Sequence, residues 1–156
     1  IAGFESLFDA GRIRAWGVSN FDVDDMQQLW RQPGGTKCAV NQVYYSASQR
    51  GIEFDLVPWH RERSVATMAY CPIDQGTLAA NADLARIARR HDITAAQVAL
   101  AWVLRHPDVI AIPKAVREDH LRENLAAAAV MLDADDCAAI DRLFVPPRRK
   151  QRLAMT

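Results

Sequence analysis

Arg-Ile-Arg-Ala-Trp-Gly-Val-Ser-Asn, residues 12–20, is the stretch on which the fold turns. Arg12 to Val18 is a run of strand length, and a hydroxyl and an amide, Ser19 and Asn20, follow at once. The same order recurs along the chain. Cys38 to Tyr44 is a second strand candidate that carries Asn41 and Gln42. Val65 to Tyr70 is a third, and Val109 to Pro113 a fourth, followed by Lys114. Helical patterns occupy the gaps, with predicted helices over 2–9, after Asp22, over 54–63, 81–91, 94–106 and 117–129, and from Asp133 or Asp135 through Leu143. Asp22 with Asp25, and Thr94 with Gln97, are helix-start pairs, while Gly11 is a helix stop. Strands separated by helices in this way predict parallel pairing through right-handed crossovers, with both faces of the sheet covered. The fold class is therefore α/β. Polar residues collect at the C-terminal ends of the strands, and no Gly-rich dinucleotide turn or Walker loop is present. Together these favour a (β/α) barrel over a doubly wound sheet.

Composition narrows the function. The chain has 156 residues, 50% hydrophobic and 24% charged, enough for a real core and ordinary for a globular domain. Lys plus Arg and Asp plus Glu number 19 each, so no net field draws the chain to nucleic acid or an anionic membrane. The most apolar run, Val98 to Leu104, is far short of the roughly 20 residues a spanning helix needs. Cys38, Cys71 and Cys137 have no framework spacing, which predicts free thiols in a reducing, cytoplasmic setting and no metal site. His60, His91 and His106 lie near helix ends, where a cation complements the dipole. Trp16 is assigned to core packing. Residues 148–156, with Arg148, Arg149, Lys150 and Arg152, read as a loose basic tail.

Six motifs share an order and spacing with one family. Gly11–Phe21 (GRIRAWGVSNF), Val40–Ser46 (VNQVYYS), Met68–Ile73 (MAYCPI), Thr94–Leu104 (TAAQVALAWVL), Val109–Ala115 (VIAIPKA) and His120–Asn124 (HLREN) resemble the successive signatures of the aldo-keto reductases. The likeness covers residues 1–147 and is greatest to bacterial diketogulonate and methylglyoxal reductases. On the residues alone, Asn20 capping a turn and Gln42 ending a solvated strand fit as well as a ligand role. The resemblance implies that Ser19, Asn20 and Gln42 hold a nicotinamide carboxamide and that Tyr70 stacks on its ring. It implies that the loop from Cys71 and Pro72 through Ile73, Gln75 and Gly76 runs under the pyrophosphate by its N–H groups. It also places Ile112, Pro113, Lys114 and Ala115 at an adenosine 2′-phosphate, which favours NADPH, and His120, Glu123 and Asn124 at the adenine. Cys71 stands where members usually have Ser, Ala115 where some have Ser, and His120 where an adenine-stacking Arg is common.

The family's Tyr, Lys, Asp and His catalytic residues belong to the first half of its barrel, and their motifs are absent here. Tyr44 and Tyr45 lie outside the context of the catalytic acid, so no catalytic residue is assigned. A complete barrel needs about 250 residues and eight strands. Four strands and an Ile1 start predict the C-terminal half of a TIM (β/α)8 barrel, from a processed or cut chain. The function expected is the cofactor-binding half of an NADPH-dependent reductase of small carbonyl substrates, inactive alone and binding NADPH weakly or not at all. A non-enzymatic, barrel-like binding or assembly module is the alternative. Exposed half-barrel edges predict self-association, as a homodimer or a higher assembly.

Overall fold

Reciprocal capping boxes fix where three helices begin. In the computed structural model, which describes residues 1–156, the Asp22 carboxylate caps α2 (Val23–Trp30) while Asp25 accepts from the Asp22 N–H at 3.0 Å. Thr94 and Gln97 exchange the same bonds ahead of α5 (Ala95–Leu104), as do Asp133 and Asp136 ahead of α7 (Ala134–Leu143). Each pair satisfies donors that a helix N-terminus leaves orphaned. The other helices are α1 (Ala2–Asp9), α3 (Leu56–Glu62), α4 (Ala82–Arg90) and α6 (Glu118–Ala126). Pro58 lies within the first turn of α3, where its missing N–H breaks no intrahelical bond.

Four strands, β1 (Gly17–Ser19), β2 (Val40–Tyr44), β3 (Ala66–Tyr70) and β4 (Val109–Ala111), pair in parallel in the order β1-β2-β3-β4. Sequential order belongs to a (β/α) barrel; a doubly wound sheet reverses its order at a switch point. The structure is a partial barrel of four parallel strands with flanking helices. The outer strands are shorter than the apolar runs predict, because each has one neighbour to ladder with. Arg12 to Ala15 therefore lead into β1 outside the sheet, Trp16 contributes only its carbonyl, which accepts from the Ala39 N–H at 2.9 Å, and Pro113 supplies no N–H to prolong β4.

The register separates two faces. Asn41, Val43, Thr67, Ala69 and Val109 are buried on one of them. Across the sheet, Gln42, Met68 and Ile110 stand in a row on the other, and Ile110 is 46% exposed. The expectation of cover on both faces thus holds for one face only. The second, concave face is open among these 156 residues.

Helix α5 anchors the covered side, with residues Val98–Val103 all buried. The Trp102 ring lies between two guanidiniums, Arg105 at 3.5 Å and Arg50 at 4.8 Å from its centroid. Both arginines reach Glu53, and Arg50 also donates to Asp141 and to the Phe144 carbonyl, which ties α7 to the segment after β2.

The C-terminal tail is not loose. Lys150 pairs with Asp22 at 3.2 Å and Asp55 at 3.6 Å, Gln151 lies against Gly51, and Leu153 packs on the core. Carboxylates gathered at the starts of α2 and α3 attract the one lysine of the tail across the loops that follow β1 and β2. At the other end of the chain, Phe4, Leu7 and Phe8 of α1 stay 44–46% exposed, and Phe4 stacks on the buried Trp16 at 5.4 Å.

Gly35 tests the close packing beneath α2, since a Cβ there falls 1.9 Å from the Leu29 carbonyl oxygen. Gly35→Ala is expected to lower the unfolding free energy by about 2–3 kcal/mol. Gly3→Ala, which meets nothing within 4 Å in α1, should raise it by a few tenths up to about 1 kcal/mol. Urea denaturation of both variants measures the contrast.

Candidate functional site

All four strands run in parallel and end on the same rim. At the end of β1, Asn20 takes a left-handed backbone, φ +56°. Its N–H donates to the Gln42 carbonyl at 2.8 Å, and the Ser19 hydroxyl donates to the same oxygen at 3.1 Å. The Asn41 side chain grips the next residue from both sides. Its Nδ2 donates to the Phe21 carbonyl at 2.8 Å, and its Oδ1 accepts from the Phe21 N–H at 3.4 Å. This clamp leaves the Asn20 side-chain Oδ1 buried with no hydrogen-bond partner. Nearby, the Gln42 Nε2 donates only to the Met68 sulfur, a weak acceptor, at 3.1 Å. An orphaned acceptor and an underused amide donor together match the two halves of a primary carboxamide.

At the end of β3, Tyr70 stacks on Tyr44, with ring centroids 5.3 Å apart and planes 28° from parallel. The Tyr44 hydroxyl donates to Asp74, which also accepts from the Ser48 hydroxyl at 2.8 Å. Burial first, and Asp74 second, push the Tyr44 hydroxyl well above its ordinary pKa. Asp74 sits in a loop with positive φ at Cys71, Asp74, Gln75 and Gly76. That backbone cost is held by the side-chain bonds from β2 and the segment after it. Most of the loop's N–H groups are already used: Asp74 donates to Cys71, Gly76 and Leu78 to Ile73, and Thr77 to Asp74. The N–H groups of Cys71, Ile73 and Gln75 are left without an acceptor. The anion cradle expected from the whole loop is therefore reduced to three donors. Pro72 is buried and Cys71 half-buried, with its carbonyl turned into the loop.

Beyond this loop lies a cleft of about 310 Å³. It brings together Ile73 and Gly76 from the loop, Lys114 and Ala115 after β4, and His120, Glu123 and Asn124 from α6. Lys114 is exposed and forms no ion pair, so its charge is available to a ligand. The sequence reading missed Thr94, Ala96 and Ala79, which complete the lining. Thr94 was legible as a helix cap, and the N-terminus it caps points a ten-residue helix at the cleft. Pro113 turns instead to a neighbouring apolar groove beside Ile110 and Leu125, Ile112 is exposed, and Gln75 lies outside the cleft. Tyr44, Ser48 and Asp74 were also missed, because a contact between β2 and the loop after β3 leaves no local signal.

A partial (β/α) barrel with polar groups at the strand ends defines the class: an α/β protein of the (β/α)-barrel type. The chain belongs to the aldo/keto reductase family, whose model matches residues 1–144. It is similar to methylglyoxal reductase YeaE of Escherichia coli (strain K12), with 45% identity over 160 residues covering 99% of this chain and 56% of that protein. To the glyoxal reductase of Bacillus subtilis (strain 168) it is 35% identical over 139 residues, covering 89% of this chain and 49% of that one. Among solved structures, it superposes with a TM-score of 0.95 on an aldo-keto reductase from Klebsiella pneumoniae in complex with NADPH. That structure is 47% identical and is matched over 99% of this chain and 56% of its own. The chain spans about half the length of the curated relatives it matches.

Beneath the rim, His60 is not the exposed helix-end cation the sequence suggested. It is fully buried, and burial pushes its pKa down to about 4 against a weak opposing pull from Asp108. A histidine buried neutral disfavours folding wherever the unfolded chain is protonated and the native one is not. Unfolding free energy should therefore fall as pH drops from 6.5 to about 4, with His60 contributing on the order of 3 kcal/mol. Urea midpoints across that range should show a shallower slope in His60→Gln than in the unmodified chain.

Proposed function

We propose that this chain is the NADP(H)-binding half of a carbonyl reductase, which in its complete form reduces an aldehyde or ketone. One observation carries the reading: the buried, partnerless Asn20 Oδ1 beside the underused Gln42 amide. When bound, the cofactor supplies the hydride that reduces the carbonyl carbon. Its carboxamide N–H would be accepted by Asn20 Oδ1 and by the free lone pairs of Ser19, while Gln42 Nε2 donates to its oxygen. Tyr70, backed by Tyr44, offers a flat face to the ring. The N–H groups of Ile73 and Gln75 serve the pyrophosphate, Lys114 the 2′-phosphate, and His120, Glu123 and Asn124 the adenine. Ile112, Pro113 and Ala115 hold Lys114 in place by their backbone rather than by side-chain chemistry. Solved relatives in complex with NADPH or NADP support the choice of cofactor, and the names of curated relatives support a small dicarbonyl as substrate.

The chain alone is assigned no turnover. A general acid needs a pKa near the working pH. The Tyr44 hydroxyl is tied to Asp74, and that of Tyr45, bonded to Glu53, is likewise pushed upward by burial. The open concave face bears on assembly. All strands run one way, so a two-fold axis along them sets β4 of one copy beside β1 of the other twice. This closes eight strands without an edge. The exposed Phe4, Leu7 and Phe8 flank the β1 side, and the apolar groove of Leu100, Ile110 and Leu125 flanks β4. We propose a homodimer on that basis. No helix is long and apolar enough to cross a membrane. Three free thiols fit the reducing, cytoplasmic setting proposed for the chain.

Fluorescence titration tests the cofactor reading. NADPH is expected to bind weakly, and Asn20→Gly, which keeps the left-handed backbone but deletes Oδ1, should weaken it roughly tenfold. Lys114→Ala should weaken NADPH by roughly tenfold or more and leave NADH unchanged; equal losses for both cofactors would remove Lys114 from the 2′-phosphate. NADPH oxidation above the blank with methylglyoxal would overturn the absence of turnover. Tight binding without turnover, even in a chain extended to the full length of its relatives, would favour a binding module. Light scattering at micromolar concentration should give a dimer, and a cooperatively folding monomer would refute the assembly.

A further inference from the structure

We propose that His60 is a positioning residue for the cofactor end of the rim, acting from beneath the sheet through Asn41 on the Asn20–Phe21 backbone. This rests on the reading of Asn20 and Gln42 as the carboxamide site, and it extends that reading to residues no cofactor touches. The hydrogen bonds determine the arrangement. Asn41 Nδ2 donates to the Phe21 carbonyl and Asn41 Oδ1 accepts from the Phe21 N–H, so the amide has one orientation. The second Nδ2 hydrogen then points at His60 Nε2, 3.2 Å away, which must accept. His60 Nε2 therefore carries no proton. The proton sits on Nδ1 and donates to Thr67 Oγ1 at 2.9 Å.

His60, Asn41 and Thr67 are all fully buried, so the orientation is not shared with solvent. The chain of bonds runs from Thr67 of β3 through His60 of α3 and Asn41 of β2 to Phe21, just past the end of β1. Its last link holds Phe21 while Asn20 remains left-handed with its side-chain oxygen unpaired. Asn41 and Gln42 are adjacent and point to opposite faces. The residue clamped from below thus sits next to the residue that offers its amide above. Losing the His60 acceptor frees the Asn41 amide to rotate, and Phe21 loses both of its side-chain partners together.

Three measurements on the 156-residue chain decide the proposal. Imidazole nitrogen chemical shifts should report a neutral His60 with its proton on Nδ1 between pH 5 and 8; a proton on Nε2 would overturn it. Amide hydrogen exchange should show Phe21 exchanging about tenfold faster in His60→Leu, with Val98–Trp102 of α5 unchanged as the global-stability control. If His60→Leu fails to fold, Thr67→Val, which deletes only the partner of Nδ1, should speed Phe21 exchange in the same direction. His60→Gln, which can present an acceptor to Asn41, should restore part of the protection. Unaltered Phe21 exchange in the variants that fold would overturn the proposal. The third measurement separates the two readings. His60→Leu or Thr67→Val should weaken NADPH roughly five- to tenfold, while 2′,5′-ADP, which lacks the nicotinamide, changes less than twofold. If both ligands weaken equally, His60 is structural only. If the unmodified chain binds neither ligand while Phe21 exchange still follows His60, the cofactor reading fails and the clamp on the loop stands.

Discussion

Parallel register is the constraint on which the rest of the molecule depends. Ser19 pairs with Gln42, Gln42 with Met68 and Met68 with Ile110, so one row of residues crosses the whole sheet at a single height. Because the strands all run one way, whatever follows that row emerges at one rim. The Asn20 turn, the Cys71–Gly76 loop and the Lys114 segment therefore lie along one rim, and the last two line one cleft. A one-residue slip of β2 would exchange Gln42 with Asn41, burying the first and exposing the second. The clamp on Phe21 and the amide offered above it would be lost together.

A small charged cluster outside the rim ties α5 and α7 to the segment after β2. Arg50 is 7% exposed, and its guanidinium, like that of Arg105, packs on Trp102 and reaches Glu53. Two cations share one carboxylate, and Asp141 and the Phe144 carbonyl take up the remaining Arg50 donors. Removing Glu53 would leave two largely buried guanidiniums undercompensated, a larger cost than any single surface ion pair here. The same cluster fixes the segment after β2 from which Ser48 reaches Asp74. Core packing thereby reaches the strained loop in two steps.

What the sequence disclosed was what depends on near neighbours. Asp22 with Asp25 and Thr94 with Gln97 are helix caps because the partner is three residues away. The polar residues after each strand were legible because parallel topology makes their position a matter of order. Four strands, the flanking helices and the family likeness followed from the same signals, and the covered second face did not, because cover comes from elements outside the run being read. His60 was misjudged for a related reason. Its place near the end of α3 suggests a solvated cation, and only the contact with Asn41 and Thr67 makes it a buried neutral acceptor. Asp74 and Tyr44 are thirty residues apart, and Lys150 meets Asp22 across nearly the whole chain, so neither pair leaves a local pattern.

An unsatisfied group is the part of this rim that folding alone does not explain. A buried acceptor without a partner costs about 1–3 kcal/mol, and left-handed backbone at Asn20, Cys71, Asp74 and Gln75 adds to that. A chain selected for stability alone would place glycine at these turns and pair or expose the Asn20 oxygen. The structure instead surrounds each strained point with fixed partners: Asn41 around Phe21, Tyr44 and Ser48 around Asp74. Strain that is over-determined by its neighbours persists in the free state, so a ligand meets groups already oriented and need not order them itself. In that sense the least favourable residues of the rim and the most rigid ones are parts of the same arrangement, and the second exist because of the first.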